Sequence, residues 1–131
     1  MIGIDTNVLV RYIAQDDAAQ SRRATAFIEK ELTDAAPGFV GLVVLVETVW
    51  VSESCYDAKR ADIAAMLRSL LSIKQLRVQD AETVWQALRI FESGKADFAD
   101  CLIERMANAA GCARMVTFDK QAAKSGMTLL V

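Results

Sequence analysis

The chain contains no histidine. That absence excludes Ser-His and Cys-His nucleophile pairs, a histidine general base and a histidine-ligated zinc site. Any metal held here would be held by oxygen, which favours magnesium or manganese over zinc. Cysteine is scarce too. Cys55, Cys101 and Cys112 form an odd set without metal-type spacing, so a disulfide framework is not expected and a reducing, cytoplasmic setting fits. Cys101 and Cys112 stand among apolar neighbours and read as small core residues. With one proline and six glycines, no linker or low-complexity tract is visible. No apolar run is long enough to span a bilayer; the longest, Gly38 to Val46, ends at Glu47. Met1 leads straight into an apolar stretch without the basic segment of a secretory signal, so no membrane association is expected.

What is present is enough for a core. The chain has 131 residues, 53% of them hydrophobic and 24% charged, which predicts a single domain over residues 1–131. The net charge of −2 is unlike the basic balance usual in nucleic-acid binders, and it agrees with a locally acidic site.

Short apolar runs alternate with segments of helical period. Ile2 to Asp5 reads as a strand and Asn7 to Ala14 as a helix. Asp16 and Asp17 open a second helix to about Leu32, with Ala24, Phe27, Ile28 and Leu32 on one face. Pro37-Gly38 punctuates the chain before a short strand at Phe39 to Leu42. A nearly all-apolar helix then runs from Val43 to Ser54. Helices follow over Asp57 to Ser72, from Asp80, and over Lys95 to Ala110 with Gly111 as its stop. Strands are expected at Gln75 to Val78, Ala113 to Phe118 and Met127 to Val131. This alternation argues for an α/β fold with a mostly parallel sheet. Sites in such sheets form beyond the carboxyl ends of the strands.

Four carboxylates stand in apolar company. Asp5 ends the first strand, where it either caps the next helix or serves a site; Thr6 and Asn7 would cap equally well. Glu47 is the only charge in "GLVVLVETVWV", a helix apolar all round and therefore expected to be buried, where a glutamate needs a partner. In "ADFADCLIERM", Asp97, Asp100 and Glu104 share one helical face, with Asp97 placed to act as the N-cap. Asp119 follows the strand "ARMVTF" and alone would be a turn residue. Clustered carboxylates repel one another unless a cation joins them. A divalent metal would resolve the conflict, activating water and stabilising charge on a phosphoryl oxygen.

The four motifs "IDTNVLVRYI", "FVGLVVLVETVWV", "KADFADCLI" and "VTFDK", in this order over essentially the whole chain, resemble the PIN domain family, and within it the VapC-type ribonuclease toxins of toxin–antitoxin pairs. The resemblance implies a three-layer α/β/α sandwich with parallel strands in the order 3-2-1-4-5. It implies a metal-dependent endoribonuclease whose acidic site comprises Asp5, Glu47, Asp100 and Asp119, with Mg2+ or Mn2+ as cofactor. Asp5 and Asp100 match the principal metal-binding aspartates. Glu47 would complete the site, and Asp119 would support a second metal or the attacking water. Thr6, Asn7, Asp97 and Thr117 would orient ligands, as groups around metal sites do. Arg11, Arg22, Arg23, Lys95 and Lys120 are the basic residues available to grip phosphates, with solvated surface the blander reading of each. The implied partners are an RNA, tRNA or rRNA, a cognate VapB-type antitoxin, and a second copy of the chain in a homodimer. Trp50, Trp85 and Phe27 are conceivable partner contacts but read first as core.

The rivals fit less well. A phosphoacceptor receiver domain would show paired acids after its first strand. A haloacid-type phosphatase would carry aspartate where Asn7 stands. A dinucleotide-binding fold would need a glycine-rich turn. The remaining alternative is a non-catalytic PIN-like module that binds RNA or protein through the same cleft.

Overall fold

The computed structural model describes residues 1–131, which divide into two compact units, Met1–Gln79 and Asp80–Val131. The first begins with β1 (Ile2–Gly3) and α1 (Thr6–Ala14). Next comes α2 (Ala18–Ala26), whose last turn, Phe27–Glu31, is wound as a π-helix. The wider turn places the Leu32 N–H on the Phe27 carbonyl at 3.0 Å, and Ile28 and Leu32 are both buried. Then follow β2 (Gly38–Val40), α3 (Leu42–Tyr56), α4 (Arg60–Ser72) and β3 (Leu76–Val78). The three strands run parallel in the order β1-β2-β3, with Ile2 opposite Gly38 and Gly38 opposite Leu76. Parallel strands need long crossovers, and the helices supply them. Gly38 sits at a close approach: a Cβ there would lie 2.8 Å from Leu32 Cδ1 and 2.9 Å from Leu76 Cδ2, so those side chains would have to shift. Leu9, Ile28, Val40, Leu45, Ile63, Leu67 and Leu70 fill this core.

The second unit contains α5 (Ala81–Ser93), α6 (Phe98–Ala109), β4 (Val116–Thr117), α7 (Lys120–Ala123) and β5 (Thr128–Leu129). Val84, Leu88, Phe91, Phe98, Cys101 and Leu102 are buried, and the Phe91 and Phe98 rings meet edge to face at 6.1 Å. Gly111, with φ of +91°, ends α6; beside it the Cys112 N–H reaches back to the Ala107 carbonyl at 3.0 Å. β4 pairs with β5 in parallel, Val116 opposite Thr128.

The parallel α/β class expected from the sequence stands, but the strand order differs in detail. Rather than one sheet in the order 3-2-1-4-5, the strands form a three-stranded sheet and a two-stranded one. The reason is strand length. β1 spans two residues; Ile2 and Ile4 donate towards β2, to Pro37 and Phe39 carbonyls at 2.9 Å each, so only Gly3 is left facing the other edge. One residue cannot sustain a second ladder.

Helix α3 also departs from expectation. It buries Leu42, Leu45, Thr48, Val49 and Ser52, while Val43 is 76% and Trp50 63% exposed, so Trp50 is not a core residue. An all-apolar sequence hides which face is outward; here one face packs and the other is open. The two buried hydroxyls are satisfied locally, Thr48 donating to the Val44 carbonyl and Ser52 to the Thr48 carbonyl, both at 2.8 Å. Trp85 and Phe27 are half-buried. Cys101 is buried as expected, whereas Cys112 is exposed because it lies past the end of α6.

Candidate active site

In the first unit, Asp5 is the N-cap of α1. Its Oδ1 accepts from the Thr6 N–H at 2.8 Å, so the capping reading holds. The carboxylate is exposed rather than buried, because the strand stops at Gly3 and the chain has already turned towards the helix. Thr6 then links Asp5 to Glu47: its Oγ1 donates to Glu47 Oε1 at 2.7 Å. Glu47 is exposed on the outward face of α3 rather than buried, and its partner is this hydroxyl. Asp5, Thr6, Asn7, Val10 and Arg11 of α1 face Glu47, Val51, Cys55 and Tyr56 of α3 across an open cleft of about 400 Å³.

In the second unit, Asp97 is the N-cap of α6 and accepts from the Asp100 N–H at 2.9 Å. Asp100 is half-buried in the first turn. Its carboxyl is held above the usual carboxylate range, first by burial, then by the charge of Asp97 and a hydrogen bond to it, and last by the charge of Asp119. Asp119 caps α7, accepting from the N–H groups of Gln121 at 2.7 Å and Ala122 at 3.2 Å. Thr117 Oγ1 accepts from the Asp119 N–H at 3.0 Å and fixes the turn that carries it. Glu104, expected on the acidic face, instead turns inward: it is 8% exposed and forms a bidentate pair with Arg105 at 2.6 and 2.8 Å. Seven residues make nearly two full turns, so Glu104 stays within about 20° of the face of Asp97 but lies two turns further along α6, where the surroundings are buried. Lys95 and Lys120 are exposed.

The donor chemistry fits a hard cation. Every candidate ligand is a carboxylate oxygen, and Asp100 carries the repulsion that a cation would relieve. Nowhere do three His, Cys, Asp or Glu side chains converge closely enough to enclose a metal by themselves. Magnesium tolerates this, since it keeps several waters and is often held by one or two carboxylates plus substrate phosphates.

Comparison with known proteins decides the family. The PIN domain model matches residues 2–126. The chain belongs to the PIN domain family. Over most of its length this PIN domain is similar to a VapC ribonuclease of Aquifex aeolicus (strain VF5), at 24% identity over 123 residues, which cover 94% of this chain and 90% of that protein.

The structure adds residues to this PIN domain's cleft that the sequence did not single out. Tyr56 and Asp16 join Arg11: the Tyr56 hydroxyl donates to Asp16 Oδ2 at 2.7 Å, and Arg11 Nη1 reaches both Asp16 Oδ1 and the Tyr56 oxygen at 3.3 Å. Nine residues separate Tyr56 from Glu47 and forty separate it from Asp16, so only the packing of α1 on α3 reveals the group. Arg23 is engaged elsewhere, paired with Glu31.

Proposed function

We propose that this PIN domain is a metal-dependent endoribonuclease and the toxin of a toxin–antitoxin pair, acting as one functional domain over residues 1–131. The observation that carries the reading is the family match from residue 2 to 126, a span within which Asp5, Glu47, Asp100 and Asp119 all lie. The likeness to a protein named as a VapC ribonuclease supports the choice of RNA as substrate.

In this reading Asp5 and Asp100 hold the cation, Glu47 completes the set, and Asp119 supports a second cation or positions the attacking water. Bound magnesium or manganese would lower the pKa of a water and offset charge developing on the phosphoryl oxygen. Thr6 aims Glu47 through its hydroxyl. Asp97 and Thr117 fix the backbone that carries Asp100 and Asp119. Asn7 lines the cleft, and Arg11, Lys95 and Lys120 hold substrate phosphates. The substrate is a tRNA or rRNA; the partners are a VapB-type antitoxin and a second copy of the chain; the setting is the cytoplasm.

One observation favours a second reading, a PIN-like module that binds RNA or protein without cleaving it: no three acids enclose a metal site on their own. Cleavage separates the two. Asp5→Asn and Asp100→Asn should each abolish metal-dependent RNA cleavage while the far-ultraviolet circular dichroism stays native, because asparagine caps a helix as aspartate does and neutralising Asp100 relieves its repulsion by Asp97 and Asp119. Unfolding of both variants would make the acids structural, and absence of cleavage by the folded wild type would favour the binding module.

A further inference from the structure

The cleft of the first unit has two chemically distinct ends. At one end stand Asp5 and Glu47, joined by Thr6. At the other stand Arg11, on α1, and Tyr56, on α3 beside Cys55. The guanidinium of Arg11 is locked: Nε donates to Gln20 Oε1 at 2.8 Å, and Nη1 to Asp16 and Tyr56. Nη2 is left without a protein partner. The Asp16 carboxyl is held below its ordinary range, first by the Tyr56 hydroxyl and with help from Arg11. Tyr56 is 39% exposed, its hydroxyl held while part of its surface stays open.

An arginine immobilised through Nε and Nη1 keeps the N–H groups of Nη2 for an oxyanion acceptor. An aromatic ring beside it is a stacking surface for a base. Glu47 and Tyr56 are separated by nine residues of α3, about 13 Å of helix at 1.5 Å per residue. A stacked strand rises about 3.4 Å per nucleotide, so this reach corresponds to roughly four nucleotides. We propose that Arg11 and Tyr56 form a nucleotide subsite that grips single-stranded RNA a few nucleotides from the cleaved bond, Arg11 through a backbone phosphate and Tyr56 through base stacking. This rests on the nuclease reading for the acid end of the cleft. It makes Arg11 and Tyr56 binding residues, which set where the strand is cut without touching the reacting atoms. A phosphodiester strand suits both ends, because it needs a cation at the scissile phosphate and a fixed donor at a remote one.

The experiment uses the full chain carrying Asp5→Asn, in millimolar magnesium, with a fluorescent single-stranded RNA of mixed sequence. Bound RNA should slow alkylation of Cys55 several-fold and leave exposed Cys112 unchanged, a readout independent of cleavage. In anisotropy titrations Arg11→Met should weaken binding about tenfold and reduce the salt dependence by about one phosphate contact. Tyr56→Leu should weaken binding about tenfold, whereas Tyr56→Phe, which keeps the ring, should stay within about twofold of the parent. RNA binding that leaves Cys55 unprotected, or that is unchanged by Arg11→Met and Tyr56→Leu, overturns the subsite and leaves the nuclease reading standing. RNA binding by no form of the protein overturns both. Protection of Cys55 by an acidic or basic peptide with none by RNA assigns the cleft to a protein partner and also overturns the subsite. The footprint is read on a chain whose Arg11 and Tyr56 are intact, so it stands even if an Arg11 variant loosens the α1–α2 contact.

Discussion

Thr6 is the smallest group on which the proposed chemistry depends. Its backbone N–H is fixed by Asp5 and its hydroxyl fixes Glu47, so one residue sets the spacing of two acids. Thr6→Val keeps the shape and removes the hydroxyl. RNA cleavage should fall about 10–100-fold, the usual cost of losing a group that orients a ligand, and initial-rate measurements at saturating metal check this. The same scale shows what a sequence does and does not disclose. The N-cap roles of Asp5 and Asp97 were legible, since capping is a local property of a residue and the turn after it. The partner of Glu47 was not. An isolated charge in an apolar helix is compatible with a buried ion pair or an open face, and only tertiary packing distinguishes them. Cys112 was misplaced for a related reason: apolar neighbours along the chain imply burial only while the helix continues, and α6 ends before it.

At the level of elements, helix existence followed from periodicity, and most helix bounds fell within a few residues of expectation. The strands proved shorter than their apolar runs, because edge residues of those runs serve as caps and turns. β1 is the example: Ile4 is buried but the strand has ended, and Asp5 is already a cap. That brevity is also why the strands divide into two sheets. Tight packing around β2 gives a direct test. Gly38→Ala would push a methyl group against Leu32, Leu76 and Ile4, all within about 3 Å of the new atom. Overpacking of this kind costs about 1–3 kcal/mol, and urea unfolding should show that loss of stability without a change in the helical spectrum.

For the whole molecule the account predicts a link between metal, pH and stability. A cation that binds the folded chain and not the unfolded one raises the melting temperature. Millimolar magnesium or manganese should do so in the wild type, and Asp100→Asn should abolish most of the rise. The sign with pH follows from Asp100. Its folded pKa lies above the ordinary value, so without metal its contribution to stability is present at low pH and fades as pH rises through the raised value. With metal the trend reverses, because the cation must displace the proton. The metal-induced rise in melting temperature should therefore be largest at neutral pH and disappear as the pH falls towards the carboxylate range; thermal scans at several pH values with and without metal read it directly. The family match from residue 2 to 126 spans both compact units, which is what makes a joint role for their acids the central claim. The most direct test of that claim is cleavage of total cellular RNA by the purified protein, with and without manganese, beside Asp5→Asn and Asp100→Asn, one acid from each unit. The account predicts discrete fragments that require manganese and vanish in both variants. Fragments that persist in either folded variant, or that form without metal, would contradict it.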